Sequence, residues 1–150
     1  MDKIDKKIIA ELQKNGRISL TELCEKVGIS LSPCQRRVKL LEQSGVISGY
    51  RAEISPELAG FHFSAIVFVV LKDVISEHID RFENALADIP QITQAQRLFG
   101  DTDYMLHITT ENLDAFQQLY DKTLSKLPNV HRMNSTLVMK EIVAKRGLPI

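Results

Sequence analysis

Arg36 and Arg37 are adjacent in GISLSPCQRRVKLLEQSG, the stretch from Gly28 to Gly45. The stretch reads as a short helix, with Ser and Pro at its start and Gly at its stop. Adjacent cations then occupy the positive end of the helix macrodipole, where a carboxylate would stabilise better. An external polyanion resolves that conflict, because backbone N–H groups at a helix start and nearby guanidinium groups can hold phosphate together. The second place with chemistry is LFGDTDYM, where Asp101 and Asp103 flank Thr102 beside Gly100 and Tyr104. Gly and Asp are ordinary turn residues, so a plain hairpin turn is one account. A D-x-D metal site is another, but no further ligand set accompanies it. A third is a loop whose carboxylates meet the ammonium group of a small amino acid while Tyr104 covers its apolar part.

The other reactive types are scattered. His62, His78, His107 and His131 have no metal spacing, and no nucleophile or acid/base constellation accompanies them, so no enzyme is expected. Cys24 and Cys34 form no CxxC pair. Cys34 is either a thiol activated beside arginines at a helix start or a small inward-facing residue in phase with Val38. The periodicity favours the second.

Three helices must position the arginines. Asp2 can cap the first, whose apolar positions are Ile4, Ile8 and Leu12, and Asn15-Gly16 ends it. Ser19 and Glu22 form a capping box for the second, with Leu20, Leu23 and Val27 inside and Gly28 as its stop. Ser32 and Pro33 open the third, Ser30 being the alternative cap, and Gln35 can complete a box to Ser32. The pattern is a helix-turn-helix. Helical spacing places Cys34, Val38 and Leu41 inside and Ser32, Arg36, Lys39 and Gln43 outside. Arg36, with Gln35 and Lys39, can read bases or hold phosphates, whereas Arg37 on the flank snorkels to a phosphate or pairs with a nearby acid. A merely solvated face is the simpler account of RRVKLLEQ taken alone. The preceding helix and turn argue for DNA.

The charge distribution agrees. The chain of 150 residues is neutral, with 25% charged and 44% hydrophobic residues, which suits a soluble globular protein. Residues 1–51 nevertheless carry +4 and residues 52–150 carry −4. The basic half is the candidate for meeting a polyanion. No apolar run spans a bilayer and no signal peptide opens the chain, so a cytoplasmic protein with reduced thiols and no membrane partner is expected.

Val46–Ile54 reads as a strand or extended connector, and SPELAGF as a turn. Strands are then expected over SAIVFVVLK, Ile92–Phe99, Tyr104–Thr110 and Val130–Val143. Helices are expected over Ser76–Asp88, with Ile79, Phe82, Leu86 and Ile89 inward, and Asn112–Lys126, with Leu113, Phe116, Leu119, Tyr120 and Leu124 inward. The order βαββαβ is ferredoxin-like, an antiparallel sheet with helices on one face. The first strand is apolar on both faces, so the bare sheet face calls for a partner, most simply a second copy of the chain. The expected class is therefore α+β. It divides into a winged-helix-like helix-turn-helix domain over 1–50, a hinge strand and linker over 51–63, and a ferredoxin-like domain over 64–150.

With DKIDKKIIAELQKNGRISLTELCEKVGIS, LSPCQRRVKLLEQSGVISGY, GDTDY and STLVMKEI in this order, nearly the whole chain resembles the Lrp/AsnC (feast/famine) transcriptional regulators. The resemblance implies DNA binding through Ser32, Pro33, Gln35, Arg36, Arg37 and Lys39. It implies a free amino acid as effector, with no other cofactor, bound near Gly100, Asp101, Thr102, Asp103 and Tyr104, with Met133 and Ser135 as weaker candidates on the final strand. It also implies homodimers that assemble further, often to octamers, with effector binding altering assembly and operator affinity. The competing reading is an architectural DNA-binding protein with little sequence preference.

Overall fold

Asp2 and Asp5 start the first helix reciprocally: Asp2 Oδ1 accepts the N–H groups of Ile4 and Asp5, and Asp5 Oδ2 accepts that of Asp2, each at 2.9 Å. The computed structural model describes residues 1–144 and 146–150. They fall into two units, Met1–Glu53 with Ile142–Ile150, and Ile54–Glu141.

In the first unit, α1 (Lys3–Lys14) ends at Asn15. Ser19 Oγ accepts the Glu22 N–H at 3.1 Å to start α2 (Leu20–Val27), while the Glu22 carboxylate pairs with Lys26 at 3.0 Å rather than returning to the cap. Gly28, at φ 80°, ends α2 in the left-handed conformation that glycine adopts without penalty. The third helix, α3 (Leu31–Gln43), takes Ser30 as its N-cap, so Ser32 and Pro33 lie inside the first turn instead of opening it. Pro33 costs nothing there, because the first four N–H groups of a helix have no partner within it. Ile8, Ile9, Leu23, Cys24, Val27, Cys34 and Leu41 form the core, with Ile4, Leu12 and Val38 at its edge.

Residues 44–62 form turns and irregular chain, so the hinge strand expected over 51–63 does not form there. Gly45, at φ 74°, takes the left-handed conformation and turns the chain directly after α3.

In the second unit the elements are β1 (Phe63–Leu71), α4 (Ser76–Ala87), β2 (Ile92–Arg97), β3 (Tyr104–Thr110), α5 (Leu113–Lys122), a single 3-10 turn (Leu124–Lys126) and β4 (Val130–Leu137). The sheet order is β2-β3-β1-β4 with every pairing antiparallel, which is the expected ferredoxin-like topology. Ala65, Val67, Val69 and Leu71 of β1 and Tyr104, Leu106 and Ile108 of β3 face Ile79, Phe82, Leu86, Phe116 and Leu124 in one core. Alternate residues Ile66, Phe68, Val70 and Met105 lie half-buried on the other face.

One expected inward position and several expected element ends shift, α5 among them, which stops at Lys122 rather than Lys126. Leu113 is 57% exposed, because it follows the cap Asn112 directly and precedes the inward-facing Phe116. Strand β2 stops at Arg97, and β4 stops at Leu137 rather than Val143, since its register with β1 runs out at Ala65 near the start of that strand. Residues 142–150 group with the first unit, where Gln13 brackets the Leu148 backbone: Leu148 N–H donates to Gln13 Oε1 at 2.6 Å, and Gln13 Nε2 donates to Leu148 O at 3.1 Å.

Candidate DNA-reading helix and effector loop

On α3 the inner positions bury Cys34 and Leu41, and the solvent side presents Ser32, Pro33, Gln35, Arg36, Lys39 and Gln43. The helix start has no side-chain cap and no acid in its first turn, so its N–H groups are open to an external acceptor. Leu31, absent from the sequence-derived set, is 51% exposed beside Ser32 and offers an apolar contact of the kind that meets a thymine methyl. Its signal was an apolar residue out of phase with the buried face.

Arg37 departs from its exposed neighbours. Its Nη1 donates to Asp2 Oδ2 at 2.8 Å and to Asp5 Oδ1 at 2.7 Å. These bonds raise the Arg37 pKa, and the backbone N–H of Asp5 together with the guanidinium holds the Asp2 carboxyl below its ordinary value. Of the two roles read from the sequence, pairing with an acid is the one formed. Cys34 is fully buried, and burial with a contact from Cys24 pushes its thiol up to about 11, the opposite of an activated cysteine.

The β2–β3 loop divides the second set. Gly100 and Asp101 are exposed and Thr102 is half-buried. Asp103 is engaged by β1: its Oδ2 accepts the Leu71 N–H at 2.7 Å and its own N–H donates to Val69 O at 2.9 Å. Tyr104 is 2% exposed and turns inward, in phase with Leu106 and Ile108. Its ring packs on Phe82 at 4.8 Å and its hydroxyl donates to Glu83, so it does not cover the loop.

Beside the loop, Phe68, Val70, Thr102, Arg132, Met133 and Asn134 line an open depression of about 550 Å³. Of the effector candidates, only Thr102 and Met133 belong to this lining. Ser135, opposite Val67, is exposed outside it. The sequence reading missed Phe68, Val70, Arg132 and Asn134. Strand alternation carried half of that signal. The other half is the register that sets Arg132 opposite Val70 and Asn134 opposite Phe68. An apolar floor with one guanidinium and one hydroxyl suits a small ligand carrying a carboxylate. Among the described residues, no cluster of His, Cys, Asp and Glu could hold a metal ion.

Residues 1–48 match a winged helix-turn-helix DNA-binding family, and residues 64–148 match the Lrp/AsnC ligand binding domain. The chain belongs to the Lrp/AsnC family. The Bkd operon transcriptional regulator of Pseudomonas aeruginosa is 35% identical over 100% of this chain and 98% of its own length. The leucine-responsive regulatory protein of Haemophilus influenzae is 38% identical over 95% of this chain and 86% of its own. A transcriptional regulator of Neisseria meningitidis, solved as a complex with L-methionine, superposes with a TM-score of 0.94 at 34% identity, covering 99% of this chain and 96% of that one. Lrp/AsnC proteins are DNA-binding transcriptional regulators with an amino-acid ligand-binding domain, not enzymes. Among the described residues, no helix of this Lrp/AsnC chain is long and apolar enough to cross a membrane.

Proposed function

We propose that this regulator responds to a free amino acid, whose binding alters both its assembly and its affinity for an operator. The observation that carries the reading is the depression beside the β2–β3 loop, which brings Thr102 to Arg132 over the apolar floor of Phe68 and Val70. Arg132 takes the ligand's α-carboxylate, Asp101 its ammonium group, and the floor its side chain. The methionine bound by the Neisseria relative makes an apolar amino acid the first ligand class to try. DNA reading falls to Ser32, Pro33, Gln35, Arg36, Lys39 and Gln43, joined by Leu31.

The half-buried apolar residues Ile66, Phe68, Val70 and Met105 favour a homodimer formed sheet against sheet, which pairs two copies of α3 for a two-fold symmetric site. Further association of dimers, up to octamers, supplies the assembly step. Cys24 and Cys34 are free thiols, in keeping with a reducing cytoplasm.

The test is binding to duplex DNA from upstream of the protein's own gene, with excess competitor at fixed salt. It is repeated with each common amino acid while particle size is followed. A specific complex and a particle size that one or a few amino acids alter are the expected result. Specific binding that no amino acid changes would overturn the effector reading. Binding with no preference over competitor would favour the architectural alternative.

A further inference from the structure

We propose that Arg37 is a positioning residue for DNA reading, pinning the N-terminal half of α3 to the first turn of α1 through Asp2 and Asp5, and not a phosphate contact. The inference rests on the DNA-binding role of α3 and assigns one residue of it a different task.

The geometry is specific. Asp2 and Asp5 are already placed by the backbone of α1, since one oxygen of each completes the reciprocal cap. The remaining oxygens, Asp2 Oδ2 and Asp5 Oδ1, converge on the single nitrogen Arg37 Nη1 at 2.8 and 2.7 Å. The Asp5 and Arg37 side chains are 17% and 30% exposed, so this arm of the cluster is less screened than an open surface pair. Charge decides against phosphate. An anion approaching Arg37 meets one guanidinium already bound to two carboxylates, a cluster of net charge −1. Arg36 and Lys39 on the same helix are exposed. Both aspartates lie more than thirty residues from Arg37, so breaking the clamp frees α3 to shift against α1 without touching a residue on its DNA-facing side.

The test uses the full chain and the upstream duplex, with Arg37→Lys, Arg37→Gln, Asp5→Asn, the Asp5→Asn/Arg37→Gln pair, and Arg36→Gln for comparison. Thermal unfolding first establishes that each is folded at the assay temperature. Asn retains the oxygen that caps α1, and Lys retains the positive charge. The clamp predicts that Arg37→Lys, Arg37→Gln and Asp5→Asn each weaken binding, roughly three- to tenfold, with the pair no weaker than Arg37→Gln alone. The slope of log affinity against log salt stays at the wild-type value in all four, whereas Arg36→Gln lowers it by roughly 0.9 where Arg36 contacts a phosphate. A phosphate-contacting Arg37 gives the opposite pattern. Arg37→Lys then binds normally, Arg37→Gln loses slope, and Asp5→Asn binds more tightly because a negative charge beside the DNA is gone. That pattern, or Asp5→Asn binding like wild type, overturns the clamp. A wild-type chain that binds no duplex overturns DNA reading by α3 itself, and is thereby distinguished from failure of the clamp.

Discussion

Asp103 Oδ2 accepts the backbone N–H of Leu71 at 2.7 Å, fastening the β2–β3 loop to the end of β1. Asp101, two residues earlier, is exposed. The same residue type therefore does structural work at one position and is available to a ligand at the other.

Asp103→Ala leaves the Leu71 N–H without its acceptor and should cost about 1–3 kcal/mol in urea unfolding. Asp101→Ala should change stability by less than about 0.5 kcal/mol, as surface substitutions do. It should abolish the amino-acid response while leaving DNA affinity intact. A retained response, measured by the same binding assay, would remove Asp101 from the ligand site.

Arg36→Ala and Lys39→Ala should each weaken DNA binding and lower the salt slope by roughly 0.9 if the lost contact is to phosphate. If Arg36 instead reads a base, its loss should cost about 1–3 kcal/mol and relax preference at one position of the operator. Binding titrations across salt, on the native and single-position variant duplexes, separate the two.

Gly28 and Gly100 should respond differently to alanine. Gly28 sits at φ 80°, so Gly28→Ala should cost about 1–2 kcal/mol in thermal unfolding through left-handed strain at the turn before α3. At Gly100 no positive φ is present and an added Cβ meets no atom within 4 Å, so Gly100→Ala should leave stability unchanged. Any effect of it should appear in ligand binding.

The Cys34 thiol ionises near its ordinary value of 9.0 in the unfolded chain and at about 11 in the folded one. The folded state holds the proton more tightly, so the stability contribution is complete below pH 9 and is lost as pH rises toward 11. Denaturation across that range should show a steeper loss for wild type than for Cys34→Ala. Iodoacetamide labelling at neutral pH should be slow and follow unfolding.

Asp2 has the opposite sign. Its folded pKa lies below the ordinary 3.8, so its contribution is present above that pH and is lost as the pH falls further. Acid unfolding of Arg37→Gln should show less of this loss, because the guanidinium contact is already gone.

The order of helices and strands in both units was legible in the sequence, apart from the hinge strand expected over 51–63, which does not form. Apolar positions recur every three or four residues in the helices, whereas β1 is apolar almost throughout, so its sequence marks a strand without marking which face is buried. The helical period selects the faces that bury Cys34, Leu41 and Phe82, while packing with Phe82, Phe116 and Leu124 decides that Val67 faces the core. The inward turn of Tyr104 was legible from its phase with Leu106 and Ile108. The side-chain partners follow only from packing between distant segments. Arg37 finds Asp2 and Asp5 because α1 and α3 share a core, and Asp103 finds Leu71 because the loop folds back on β1. Arg132 and Asn134 reach Val70 and Phe68 through strand register, and Gln13 meets Leu148 across 135 residues of chain. Periodicity and turn chemistry are local properties, carried by each segment alone. Register and side-chain pairing arise only when distant segments pack, and they separated the clamping arginine from the exposed one and the structural aspartate from the exposed one.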